Sequence, residues 1–162
     1  MYVLKVNGNT YKVAYSYRVL ALSDILDRVQ SVLGDAKEDE TAFAKMQEML
    51  KFVPELLLYG LQKNHKEQFG FETEEEKTAQ LDKMYDLIDD YEDEHSTDEV
   101  AEGEMKPDAF TIFSELVSEL ESKGFLARLS AQADESAEKV DATVIPMDHQ
   151  KKTTKKKVGA KA

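Results

Sequence analysis

The sequence contains no cysteine and no tryptophan. Without thiols there are no disulfides, no thiolate metal ligands and no cysteine nucleophile. The lack of cysteine also fits a reducing cytoplasm. Glycines number only seven and are scattered, so no glycine-rich phosphate loop exists. The three histidines, His65, His95 and His149, lie thirty or more residues apart, and none has a ligand-like partner four residues away. No serine and histidine fall into a nucleophile-elbow pattern. The longest strongly apolar run, Leu56 to Tyr59, is far shorter than the ~20 residues that cross a bilayer. The opening Met-Tyr-Val-Leu-Lys alternates and does not read as a signal peptide. These absences leave no catalytic residue, no cofactor site and no metal site to nominate. The chain reads as a soluble intracellular binding protein and not as an enzyme.

Charge is present in abundance and unevenly placed. The 162 residues carry 21 Lys+Arg against 33 Asp+Glu, a formal net charge of -12. Met147 to Ala162 hold six lysines and one aspartate, so the rest of the chain is more acidic still. Such a body repels nucleic acid and anionic membrane surfaces, because both are bound through cations. It is steered toward basic partners and away from copies of itself. The lysine run Lys151-Lys152-Thr153-Thr154-Lys155-Lys156-Lys157 admits several readings: a weak tether, an electrostatic arm, or a solubilising end.

Hydrophobic periodicity divides the chain. Tyr2, Leu4 and Val6, then Tyr11, Val13 and Tyr15, alternate on either side of Asn7-Gly8-Asn9, which predicts a β-hairpin. From Tyr17 the period becomes helical, with Val19, Leu22, Ile25, Leu26, Val29 and Leu33 on one stripe and Gly34 as its stop. Phe43, Met46, Leu50, Val53 and Leu57 form a second stripe. Pro54 interrupts it, and a break into two helices there is the favoured reading over a kink. Leu56 to Leu61 reads as a core helix, and 62–71 as a loop. Thr73 with Glu76 is a capping-box pair opening a helix through Leu81, Met84, Tyr85, Ile88 and Tyr91. Residues 92–106 read as loop. Pro107 marks the start of a last helix through Phe110, Phe113, Leu116, Val117 and Leu120, ending at Lys123-Gly124. Beyond Leu129 the chain is polar and without aromatics.

The fold class this predicts is α+β and mostly helical: an N-terminal hairpin packed on about four or five amphipathic helices in a domain spanning 1–129, followed by a disordered lysine-rich tail at 130–162. The acidic run Asp89-Asp90-Tyr91-Glu92-Asp93-Glu94 lacks the alternating acids and central glycine of a calcium loop. Consecutive acids on a helix point in different directions. It therefore reads as a solvated or partner-facing surface.

Four stretches together resemble the tail assembly chaperone family of long, non-contractile-tailed bacteriophages of Gram-positive hosts (siphophages). They are Val3 to Val13 running into Tyr17-Arg18-Val19-Leu20; Pro54 to His65 with Phe69-Gly70-Phe71; the acidic helix Leu81 to Glu94; and Glu115 to Leu126. The resemblance covers roughly residues 1 to 127 and rests on the combination of the four. It implies a chaperone that binds and solubilises the tape measure protein and helps recruit the tail tube protein. It further implies action in the host cytoplasm during virion morphogenesis and absence from the mature virion. A longer product of the same gene, made by programmed frameshifting, is a further implied partner, and the lysine codons near the end would then reflect the RNA. A homo-oligomer is open. Leu56, Leu57, Tyr59, Phe69, Phe71, Phe125 and Leu126 are the large apolar residues of the family-like blocks, and those exposed together are the partner-binding candidates. The alternative reading is an acidic inhibitor that mimics nucleic acid and blocks a host DNA-binding enzyme.

Overall fold

The computed structural model describes residues 1–34, 41–104 and 106–123. Its first element is the antiparallel pair β1 (Tyr2–Val6) and β2 (Asn9–Val13). Tyr2 stands opposite Val13 and Val6 opposite Asn9, leaving Asn7 and Gly8 as a two-residue turn. Their φ angles are 50° and 74°. Two consecutive positive values define the turn whose twist matches a hairpin, and Asn-Gly adopts them most readily. Leu4, Val6 and Val13 point inward and are buried, while Val3, Lys5, Thr10 and Lys12 point out.

Among the described residues six helices follow: α1 (Tyr17–Leu22), α2 (Ile25–Leu33), α3 (Ala42–Leu61), α4 (Lys66–Phe69), α5 (Glu74–Glu94) and α6 (Ala109–Glu121). Helix makes up 63% of the described residues, so the mostly helical fold with an N-terminal hairpin holds. The Thr73–Glu76 capping box forms in both directions. The expected tail at 130–162 lies outside the described residues.

Several boundaries differ from the sequence reading. The stripe from Val19 to Leu33 is divided into α1 and α2 at Ser23, whose backbone is extended and whose hydroxyl donates to the Val19 carbonyl at 2.6 Å. Short polar side chains compete for helical backbone groups in this way. Pro54 does not split the second stripe; α3 runs unbroken through it. The proline removes only the bond to the Leu50 carbonyl. Burial of Phe52, Val53, Leu56 and Leu57 on both sides of it, each fully buried leucine contributing about 2 kcal/mol, outweighs that loss. The loop at 62–71 contains the short α4. The last helix starts two residues after Pro107, with Asp108 as its cap accepting from the Phe110 and Thr111 amides.

Helix α3 is the centre of the molecule, packing against α2, α4, α5, α6 and β2. The core joins its Phe52, Leu56, Leu57, Leu58 and Leu61 to Leu4, Val13 and Tyr15, to Met84 and Ile88 of α5, and to Ile112, Leu116 and Leu120 of α6. Glu55 ties three helices together, accepting from Arg28 of α2 and, at 2.7 Å, from Lys77 of α5.

Hydrogen bonds fix the direction of each element. The β2 side of the hairpin lies along the C-terminal half of α3, with Tyr15 at Leu56, Ala14 at Gly60 and Lys12 at Asn64 and His65. The hairpin tip meets the end of α5, where Asp90 and Glu94 accept from Asn7 at 3.0 and 2.8 Å. Nearby, Glu92 accepts from the Ala109 amide at 2.8 Å and so seats the start of α6. At the other end of α6, Glu119 accepts from the terminal ammonium of Met1 at 2.6 Å. Helix α6 therefore runs from the hairpin tip back to the open end of the sheet, antiparallel to α3.

Candidate functional site

Helix α3 has two unlike halves. Its apolar line at spacings of three and four runs Phe43, Met46, Leu50, Val53, Leu57. Val53 and Leu57 are completely buried, but Phe43, Met46 and Leu50 are 72%, 37% and 39% exposed. From Ala42 to Lys51 only Met49 is buried. The hydrogen bonds that join β2 and its continuation to α3 and the residues after it involve Leu56, Gly60, Asn64 and His65, and none reaches the first half of α3. Arg28 over the Phe52 ring, 4.4 Å from its centroid, and beside Glu55 shows that α2 flanks α3 on another side. Leu33 at the end of α2 and Tyr17 and Leu22 of α1 are also exposed. With the α3 row they are six of the ten exposed large apolar side chains among the described residues, all six carried by α1 to α3. A single exposed leucine is ordinary, but a helix-spaced row is the pattern by which an apolar face meets another helix.

The acidic surface is elsewhere. Helix α5 holds ten acidic residues and two lysines, most of them exposed. Part of the run at 89–94 has structural work that the sequence reading missed: Asp90 and Glu94 hold the hairpin tip and Glu92 holds α6, all three through neutral amides. Among the described residues no group of three or more histidine or carboxylate side chains converges on a metal-sized point. A cleft of about 320 Å³ is lined by Asp98, Glu99, Val100, Glu104 and Pro107. No described helix is long and apolar enough to cross a membrane.

Two buried ionisable clusters belong to the scaffold. Tyr15 is buried and donates to the Leu56 carbonyl at 3.1 Å; burial, with the Glu119 carboxylate adding to it, holds its hydroxyl well above the ordinary pKa. Burial alone would raise Glu119, but hydrogen bonds from the Met1 ammonium and from Lys123 outweigh it and leave the carboxyl below its ordinary value. His65, which the sequence reading placed in a loop, accepts the Lys12 amide at 2.9 Å through Nε2 and stands edge-on to Tyr11.

The described sequence-based partner candidates divide between core and half-buried positions. Leu56, Leu57 and Phe69 are core residues. Tyr59 and Phe71 are half-buried and meet edge to face with centroids 6.1 Å apart, and the Lys77 ammonium lies over the Tyr59 ring. Phe125 and Leu126 lie outside the described residues. The exposed row is Phe43, Met46 and Leu50, which the sequence reading placed on one amphipathic stripe with Val53 and Leu57. One signal for it was available: this end of the line lacks the unbroken apolar neighbours that surround Leu56 to Leu61. No family model, no curated protein and no solved structure matches the chain.

Proposed function

We propose that this protein is a chaperone of phage tail assembly that binds an amphipathic helix of the tape measure protein along α3. The observation that supports it best is the solvent-facing row Phe43, Met46 and Leu50 on a helix whose continuation is core. A helical client lays its apolar face on such a row, while the acidic α5 keeps the complex dispersed by like-charge repulsion. The resemblance of residues 1 to 127 to the family supplies the identity of the client. Recruitment of the tail tube protein, and action in the host cytoplasm before the virion is complete, belong to the same proposal. Co-expression with the tape measure protein of the same genome tests it. The expected result is a rise in soluble tape measure protein and its co-purification, both lost with Phe43→Ser and Leu50→Ser together. A client that stays insoluble beside the wild-type chain overturns the proposal.

A further inference from the structure

The two edges of the hairpin differ. Lys12 of β2 turns its main-chain N–H and C=O away from β1, the N–H donating to His65 Nε2 at 2.9 Å and the C=O accepting from Asn64 Nδ2 at 3.0 Å. Lys12 stands opposite Val3, and Thr10 opposite Lys5. In an antiparallel ladder both residues of such a pair point their main-chain groups outward, so Val3 and Lys5 turn theirs away from β2. Among the described residues no hydrogen bond reaches the N–H or C=O of either one. Both residues are exposed, Val3 by 36%, while Leu4 and Val6 are buried on the opposite face. The β1 edge thus presents two donors and two acceptors without the side-chain cover that β2 has.

An uncovered edge of this kind is a template for one more strand. Charge selects the strand. The outward side chains of the hairpin are Val3, Lys5, Thr10 and Lys12, and residues 1–16 contain no acid although the chain carries a net charge of -12. A strand laid beside β1 sets its outward side chains next to Val3 and Lys5, where an opposite charge is favourable. On the inner face Tyr91 of α5 and Glu115 of α6 stand near Tyr2, so a carboxylate on that side is repelled. We propose that the β1 edge binds an extended acidic segment of another protein as a third strand, with carboxylates at alternate positions on the outer side and apolar side chains on the inner. A second copy of this chain fits less well, because its β1 offers Val3 and Lys5, and no carboxylate, to the lysine. The edge is separate from the α3 row, and the proposal holds whatever that row binds.

Amide hydrogen exchange in the full chain tests it, with a short peptide alternating glutamate and valine as the probe and its lysine–valine counterpart as the control. In the free chain, exchange is expected to be fast at Val3 and Lys5 and slow at Leu4, whose N–H faces β2. Saturation with the glutamate peptide is expected to slow Val3 and Lys5 by at least about tenfold. Lys5→Glu is expected to weaken that peptide on the order of tenfold and to admit the lysine peptide. Val3→Pro removes an edge N–H without touching the β1–β2 ladder, as edge strands tolerate, and should abolish the slowing at Lys5. Protection retained at Leu4 shows that the hairpin of each variant is intact. Slow exchange at Val3 and Lys5 in the free chain overturns the open edge, since another part of the chain or a second copy then covers it. Equal binding of the two peptides overturns the acidic partner. Binding that Val3→Pro leaves unchanged overturns strand addition, and a glutamate peptide that slows neither amide overturns the whole.

Discussion

Gly60 of α3 lies directly against Val13 of β2: a Cβ at Gly60 would fall 2.5 Å from Val13 Cγ1. Its carbonyl also accepts the Ala14 amide at 2.9 Å, so the helix backbone continues the hydrogen bonding of the strand edge. Near the end of a helix, glycine to alanine ordinarily stabilises by up to about 1 kcal/mol. Here the added methyl meets a buried side chain, and overpacking costs about 1–3 kcal/mol. Gly60→Ala is expected to destabilise in urea unfolding. Val13→Ala, itself destabilising, should remove most of the penalty of adding Gly60→Ala, a coupling that a double-mutant cycle measures.

The outer edge of β2 is closed by side chains from the end of α3. His65 Nε2 accepts the Lys12 amide at 2.9 Å and Asn64 Nδ2 donates to the Lys12 carbonyl at 3.0 Å. Covering an edge this way removes a template for pairing with another chain. His65→Ala is expected to lower stability by about 1 kcal/mol, the usual net value of a lost hydrogen bond. Amide hydrogen exchange at Lys12 should accelerate in that variant while the exchange of Leu4 is less affected. Unchanged exchange at Lys12 would contradict the assigned bond.

Glu119 gives stability a dependence on acid. Its folded pKa is lowered from the ordinary 4.5 because hydrogen bonds from the Met1 ammonium and Lys123 outweigh the burial that acts in the opposite direction. A lowered folded pKa means that its contribution is complete above the unfolded value and is lost as pH falls through the folded one. Glu119→Gln is expected to lose about 1–2 kcal/mol at pH 7, the cations being partly exposed. The gap between wild type and variant in urea midpoints should be constant from pH 7 to about 5.5 and close as the carboxyl protonates.

What was legible in the sequence was whatever depended on neighbours along the chain. The Asn7-Gly8 turn, the Thr73–Glu76 box and the helical stripes follow from local backbone chemistry, and all three formed. What depended on packing was not legible. Pro54 breaks a helix in isolation, but here core contacts on both sides hold the helix together. The acids at 90, 92 and 94 look like one solvated run, yet their partners, Asn7 and Ala109, lie far away in sequence or across a loop. The exposed row on α3 left only a thinner set of apolar neighbours as its trace in the sequence, for the same reason. Periodicity shows that Phe43, Met46, Leu50, Val53 and Leu57 share a face, but not that the rest of the domain covers only the last two.

That division of one face supplies the sharpest contrast for mutagenesis. Leu57 is completely buried and Leu50 is 39% exposed on the same helical line, seven residues apart. Truncating Leu57 to alanine removes core contacts and is expected to cost about 2–5 kcal/mol. Leu50→Ser or Phe43→Ser removes little packing, and each is expected to shift stability by no more than about 0.5 kcal/mol. If the row exists to meet another apolar surface, the ranking reverses in a binding assay. The two serine variants should fail to keep the tape measure protein in solution, while Leu57→Ala, assayed below its unfolding transition, retains that ability. Urea midpoints and co-expression yields for the three variants decide the matter together. Serine variants that lose stability as heavily as Leu57→Ala would place Phe43 and Leu50 in the core and remove the surface on which the proposed function rests.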